Sequence, residues 1–165
     1  MQPRIAISAE KKLAGKRTLM SFANNKTREL WQGFMSKRKE LINNAGEDLY
    51  SIEVYNNTLF FQNFNPALEF EKWAAVEVTN LDSVPDELEK LILPAGLYAV
   101  FIHKGPASEG QRTYEYIFRT WLPVSDFELD DRPHFALMGE KYKNDDPTSE
   151  EEIWIPIKKK NAPGK

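Results

Sequence analysis

Cysteine is absent from all 165 residues, which excludes a disulfide framework, thiolate zinc sites and thiol nucleophiles. Histidine is scarce: the two, His103 and His134, lie far apart with no partners at ligand spacing, so no metal site is expected. Also missing are a glycine-rich phosphate loop and a serine in a nucleophile-elbow pattern. No apolar run approaches the roughly 20 residues that cross a bilayer, and Met1-Gln2-Pro3-Arg4-Ile5 lacks the apolar stretch of a signal peptide. Nor does one charge dominate. A net charge of -3 and a pI near 5.5 give no overall attraction to phosphate backbones or anionic lipid. Lys37-Arg38-Lys39 and Lys158-Lys159-Lys160 read as a solvated helix face and the start of a frayed tail. The absences predict a soluble, cytoplasmic chain with no cofactor, no metal, no membrane association and no direct DNA contact. They leave the oligomeric state open.

Hydrophobic residues at 41% and charged residues at 28% are the proportions of a folded globular domain. Helical periodicity is clearest after Asn24-Asn25, where Leu30, Trp31, Phe34, Met35, Leu41 and Ile42 form one apolar stripe. A second helix is predicted to open at Ser108-Glu109-Gly110-Gln111 as a capping box and to carry Tyr114, Ile117, Phe118, Trp121 and Leu122 on one face, with Pro123 ending it. Strands are predicted at residues 4–8, 16–22, 49–55, 72–79, 88–93, 97–104, 134–142 and 152–158. Residues 86–91 also suit a short helix. Turn chemistry separates these segments at Ala14-Gly15, Asn56-Asn57, Pro94-Ala95-Gly96, Asp130 to Pro133 and Asn144 to Pro147.

The chain repeats itself weakly. Ala14-Gly15 returns as Ala95-Gly96, and Glu71-Lys72-Trp73 returns as Glu152-Ile153-Trp154, both 81 residues later. The order of elements repeats better than the identities: a hairpin, a helix and two further strands, in half one (about 1–82) and half two (about 83–160). The predicted fold class is α+β, one curved antiparallel sheet built from a duplicated β-α-β-β module. Both helices lie on one face, and a ligand groove lies at the pseudo-two-fold axis. Residues 161–165 are expected to be a disordered tail.

The last strand carries the candidate site. Alternation sets Ile153, Ile155 and Ile157 against the helices and turns Glu152, Trp154 and Pro156 to the opposite face. A carboxylate two residues from an indole suits a flat or cationic ligand, since a cation over tryptophan is worth about 0.5–2 kcal/mol. The same pattern equally describes a solvated glutamate beside a sheet-covering tryptophan. In the matching strand Trp73, Ala75 and Glu77 share one face. Tyr55, Phe60, Phe61, Phe64 and Phe70 supply further rings, mostly for packing. The candidate ligand-binding residues are Glu152, Trp154, Trp73 and Tyr55. If the protein is an enzyme, Glu152 with Tyr55 is the candidate acid–base pair.

Residues Trp121 to Leu129, Asp131-Arg132-Pro133-His134-Phe135 and Glu152-Ile153-Trp154-Ile155-Pro156-Ile157 resemble the GyrI-like family, the effector-binding domain of AraC-type and MerR-type bacterial transcription regulators. Leu93 to Phe101 and His103-Lys104-Gly105 are similar to it too, so the match is firm from about 93 to 158. The resemblance implies a duplicated module with a groove at its pseudo-dyad, and it implies that Glu152 is the buried acid meeting cationic, multidrug-like ligands. The family often carries Phe-Glu after the second helix. Here Phe135-Ala136 stands instead, which leaves that second carboxylate without a counterpart. The regulators place a helix-turn-helix before this domain, whereas the first predicted strand here begins at Arg4, so a stand-alone binding domain is expected. Its expected function is sensing or sequestering a hydrophobic, cationic or aromatic small molecule. The alternatives are hydrolysis of small electrophiles of the cyclopropane type and protein inhibition of the gyrase type.

Overall fold

Period-2 runs of valine, isoleucine and aromatic residues favour strands that bury one or both faces, and nine strands form the framework of the described residues. A computed structural model describes residues 2–41, 44–61 and 65–160; Ile42, Phe64 and the 161–165 tail lie outside the described residues. The strands are β1 (Arg4–Ser8), β2 (Lys11–Met20), β3 (Leu49–Val54), β4 (Phe70–Glu77), β5 (Glu89–Leu93), β6 (Gly96–Lys104), β7 (Phe127–Leu129), β8 (His134–Met138) and β9 (Glu150–Lys159). Helix α1 spans Thr27–Lys37, and a 3-10 turn, Arg38–Glu40, follows it. Helix α2 starts at Gly110–Tyr116, widens into a π turn at Ile117–Trp121 and closes with Leu122–Val124.

The sheet runs β1-β6-β9-β8-β3-β4-β2-β5, antiparallel throughout, with β7 on the far end of β9. Read from either edge, this order gives the same succession: a first strand, a second, a fourth and a third. The centre of the palindrome is the β3–β8 pair.

Three details correct the sequence reading. The first two strands of each half form no hairpin, because β1 pairs with β6 and β5 pairs with β2, each crossing to the other half. Ala14-Gly15 is not a turn but the interior of β2. A Cβ on Gly15 would overlap the Ala74 carbonyl oxygen and sit 2.8 Å from the Ala75 Cβ, so the glycine is there for close strand approach. The capping box is not made: Ser108 lies inside the 3-10 turn Ala107–Glu109, and its N–H donates to Asp145 Oδ1 at 3.0 Å. Pro123 sits within the last helical turn, where the widened turn before it accommodates a residue with no N–H to donate.

Both helices cover the same face. On it, α1 buries Leu30 and Phe34 against Ala14, Ala74 and Val76, and α2 buries Ile117 against Ile153, Ile155 and Ile157. The isoleucine face of β9 is therefore the helix face, as alternation predicts. Among the described residues no helix covers the other face, yet Leu13, Ile52 and Tyr98 are at most 1% exposed there. The sheet curls around Tyr50, Trp73, Val100 and Phe135 and fills its own concavity. Gly15→Val is expected to cost roughly 2–3 kcal/mol by overpacking. Urea titration measures it, and an unchanged midpoint would mean that the strands are free to separate.

Candidate functional site

Each helix covers the strands of its own half, which leaves the central pair β3–β8 in a seam between them. Alternation turns Ser51, Glu53 and, past the strand end, Tyr55 towards this seam, together with His134 and Ala136. The floor is made of small side chains, since Ser51 lies opposite Ala74 on one side and Ala136 on the other. Ser51 stays partly exposed although it sits in the middle of the sheet. Rings form the walls. The π turn carries Phe118, which stacks on Phe61 with centroids 4.1 Å apart and planes 13° from parallel. Tyr55 stands edge-on to His134 at 4.9 Å. Such widened turns recur at functional sites.

Charge is concentrated in this seam. Glu53 and Lys72, side by side on β3 and β4, form an ion pair of 2.8 Å with side chains only 9% and 13% exposed. Glu151 projects from β9 on the same face, in register with His103 of β6. Burial holds its carboxyl above the usual range, and Glu53 pushes the same way against the opposing influence of His103 and Lys72. Among the described residues no side chain hydrogen-bonds or ion-pairs with that carboxylate. The Tyr55 and Tyr114 phenols are driven well above their ordinary range by burial and then by Glu53, and Glu151 also acts on Tyr114. Burial, then Glu151, raises Tyr142 as well. His134 falls to about 3 because burial penalises the imidazolium, with Arg132 adding to the effect. At neutral pH the described part of the seam therefore holds the neutral His134 ring, phenols, the Glu53–Lys72 ion pair and one carboxylate that has no ion-pair partner among the described residues.

The sequence-predicted residues divide between the two faces. Tyr55 is in the seam. Glu152, Trp154 and Trp73 point to the curled, helix-free face, so Glu152 and Tyr55 stand on opposite sides of the sheet and cannot act together on one ligand. Glu152 is already engaged. It accepts from Arg4 Nη1 at 3.4 Å and from Trp154 Nε1 at 3.1 Å, with the Arg4 guanidinium 5.4 Å from the indole centroid. Glu71, Trp73 and Arg17 repeat the arrangement, Trp73 Nε1 donating to Glu71 and Arg17 Nη1 meeting it at 3.2 Å. Phe135 stacks on Trp154 with planes at 15°, and Trp73 is 4% exposed. These tryptophans close the sheet's inner core.

The sequence profile of the GyrI-like small molecule binding domain matches residues 1–158. The chain belongs to the GyrI-like family. This GyrI-like domain is 28% identical over 130 residues to the transcriptional regulator BrlR of Pseudomonas aeruginosa, which covers 78% of the chain but 45% of the regulator, so it spans less than half of that relative's length. Its fold is similar to that of SAV2435 bound to tetraphenylphosphonium, with a TM-score of 0.71, 16% identity, and 96% and 94% of the two chains covered. A hydrolase encoded by lin2189 from Listeria innocua is similar at a TM-score of 0.59 and 10% identity, covering 95% and 92%. At these identities the structural likenesses establish the fold alone. Among the described residues no helix of the GyrI-like domain is long and apolar enough to cross a membrane.

Sequence reasoning missed Glu151, Glu53, Lys72, Tyr114 and His134 as members of one site. For Glu151 the signal was present. It stands in phase with Ile153, Ile155 and Ile157, so the alternation that puts isoleucines under the helices puts this carboxylate there too. For Glu53, Lys72 and Tyr114 there was no local signal, because only strand register and helix placement bring residues so far apart in sequence into one seam.

Proposed function

We propose that this GyrI-like domain binds an organic cation carrying flat apolar substituents in the seam between its helices, as a sensor or sequestering module. The observation that carries the reading is Glu151, a carboxylate drawn back from water on the helix face that makes no ion pair or side-chain hydrogen bond among the described residues. A buried charge without a partner is costly unless something compensates it. Tyr55, Phe61, Phe118 and Tyr114 supply ring faces, and a cation–π contact gains when desolvated. Tetraphenylphosphonium in SAV2435, a protein of similar fold, supports the chemistry. The palindromic strand order and the twin Arg-Glu-Trp clusters support reading the chain as an internal duplication with this seam at its axis.

Shape and charge separate cleanly in one experiment. Calorimetric titration with tetraphenylphosphonium is expected to give saturable binding, while tetraphenylborate, an anion of the same outline, binds at least tenfold more weakly (about 1.4 kcal/mol). Equal affinities, or no binding of the cation, would defeat the reading.

A further inference from the structure

Among the described residues, Lys72 is the one cation whose charge is spent in an ion pair inside the seam. Its Nζ lies 2.8 Å from Glu53 Oε2, and both side chains are largely buried. The other groups facing the seam add no charge that a ligand would meet. Tyr55, Tyr114 and Tyr142 are phenols, and His134 is enclosed by Tyr55, Phe61 and Phe118. His103 donates Nε2–H to the Pro106 carbonyl at 2.9 Å and has the Thr113 hydroxyl 2.7 Å from Nδ1, so both ring nitrogens are engaged beside its own strand end. Arg132 lies over Tyr98 on the other face and pairs with Asp130 at 2.7 Å.

We infer that Lys72 sets the charge of the ligand: by cancelling Glu53 it leaves Glu151 as the single uncompensated charge, so the seam selects monocations over dications. This rests on the function proposed above and adds a specificity residue that touches no part of the ligand's charge itself. The physical reason is that a low-dielectric site tolerates only a ligand whose charge matches its own, an excess of either sign being left desolvated and unpaired.

The test uses benzyltriphenylphosphonium and its para-(trimethylammonio)methyl derivative, a dication on nearly the same frame, titrated calorimetrically at pH 8, where carboxylates ionise most readily. Wild type is expected to prefer the monocation. Lys72→Met exposes the second carboxylate and shifts the ratio of the two affinities at least tenfold towards the dication. Glu53→Gln leaves the seam neutral overall and weakens the monocation at least tenfold. The double variant Glu53→Gln/Lys72→Met restores the wild-type ratio within about threefold, since a neutral isostere pair replaces a buried ion pair at little cost.

A ratio that ignores Lys72→Met, or that stays shifted in the double variant, overturns the inference. If Lys72→Met does not fold, Glu53→Gln and the double variant decide: weak and wild-type monocation binding respectively support it, and equal binding overturns it. Absence of monocation binding to wild type overturns the seam reading and this one together. Binding that Glu151→Gln removes but Lys72 does not tune overturns the charge count alone.

Discussion

Glu151→Gln is expected to weaken tetraphenylphosphonium binding by about 30- to 150-fold, or roughly 2–3 kcal/mol. That is the attraction between unit charges about 5 Å apart at an effective dielectric of about 20, less the residual hydrogen bonding of the amide. The loss falls on affinity and not on the fold. Because the Glu151 carboxyl is held above its ordinary range, the folded protein disfavours the ionised form at neutral pH, and removing that charge leaves stability unchanged or slightly higher. Glu152→Gln is the matched control, one residue along on the opposite face. Its carboxylate is 31% exposed and bonded to Arg4 and Trp154, so ligand affinity is expected to stay within twofold of wild type. Calorimetry on the two variants separates the faces. If Glu152→Gln loses affinity and Glu151→Gln does not, the site lies inside the curled sheet and the seam is only a packed junction.

Acid stability of the fold is expected to depend on His134. Its folded-state value of about 3 stands below the ordinary 6.5 because burial excludes the imidazolium. Between those values the unfolded chain holds a proton that the folded chain refuses, so stability falls as pH falls through the window. The slope approaches about 1.4 kcal/mol per pH unit. From pH 7 to 4.5 this one ring accounts for about 2.5 kcal/mol of lost stability. Glu151, whose shift is upward, works the other way over the lower part of the range and offsets some of it. His134→Phe keeps a ring among Tyr55, Phe61 and Phe118. The variant is expected to flatten the pH dependence by most of that amount, measured by urea unfolding at a series of pH values. An unchanged slope would mean that the imidazole is hydrated and titrates normally.

Both expectations turn on which face of a strand a residue occupies, and the sequence shows part of this directly. The β1 boundaries follow from Arg4-Ile5-Ala6-Ile7-Ser8, and the helical stripe of Leu30 and Phe34 becomes the buried face of α1. Ile153, Ile155 and Ile157 announce their burial under α2 because the polar residues in their phase, Glu151 and Lys159, stand only towards the two ends of β9. Taking the helix face as wholly apolar points to a ligand on the opposite face, whereas Glu151 puts a carboxylate under the helices. That opposite face is closed by its own curl, with Tyr50, Phe135 and Tyr98 filling the concavity where a groove was expected.

What the sequence determined alone is local: the periods that make strands and helices, the repeated order of elements, the phase of each side chain along its strand, and the family. The tertiary structure decided where the two halves exchange their first strands, which way the sheet bends, and which charges come to share one enclosure. Those depend on register and curvature between segments separated by up to about a hundred residues, quantities that no single stretch encodes because they are fixed only when all the strands are paired at once.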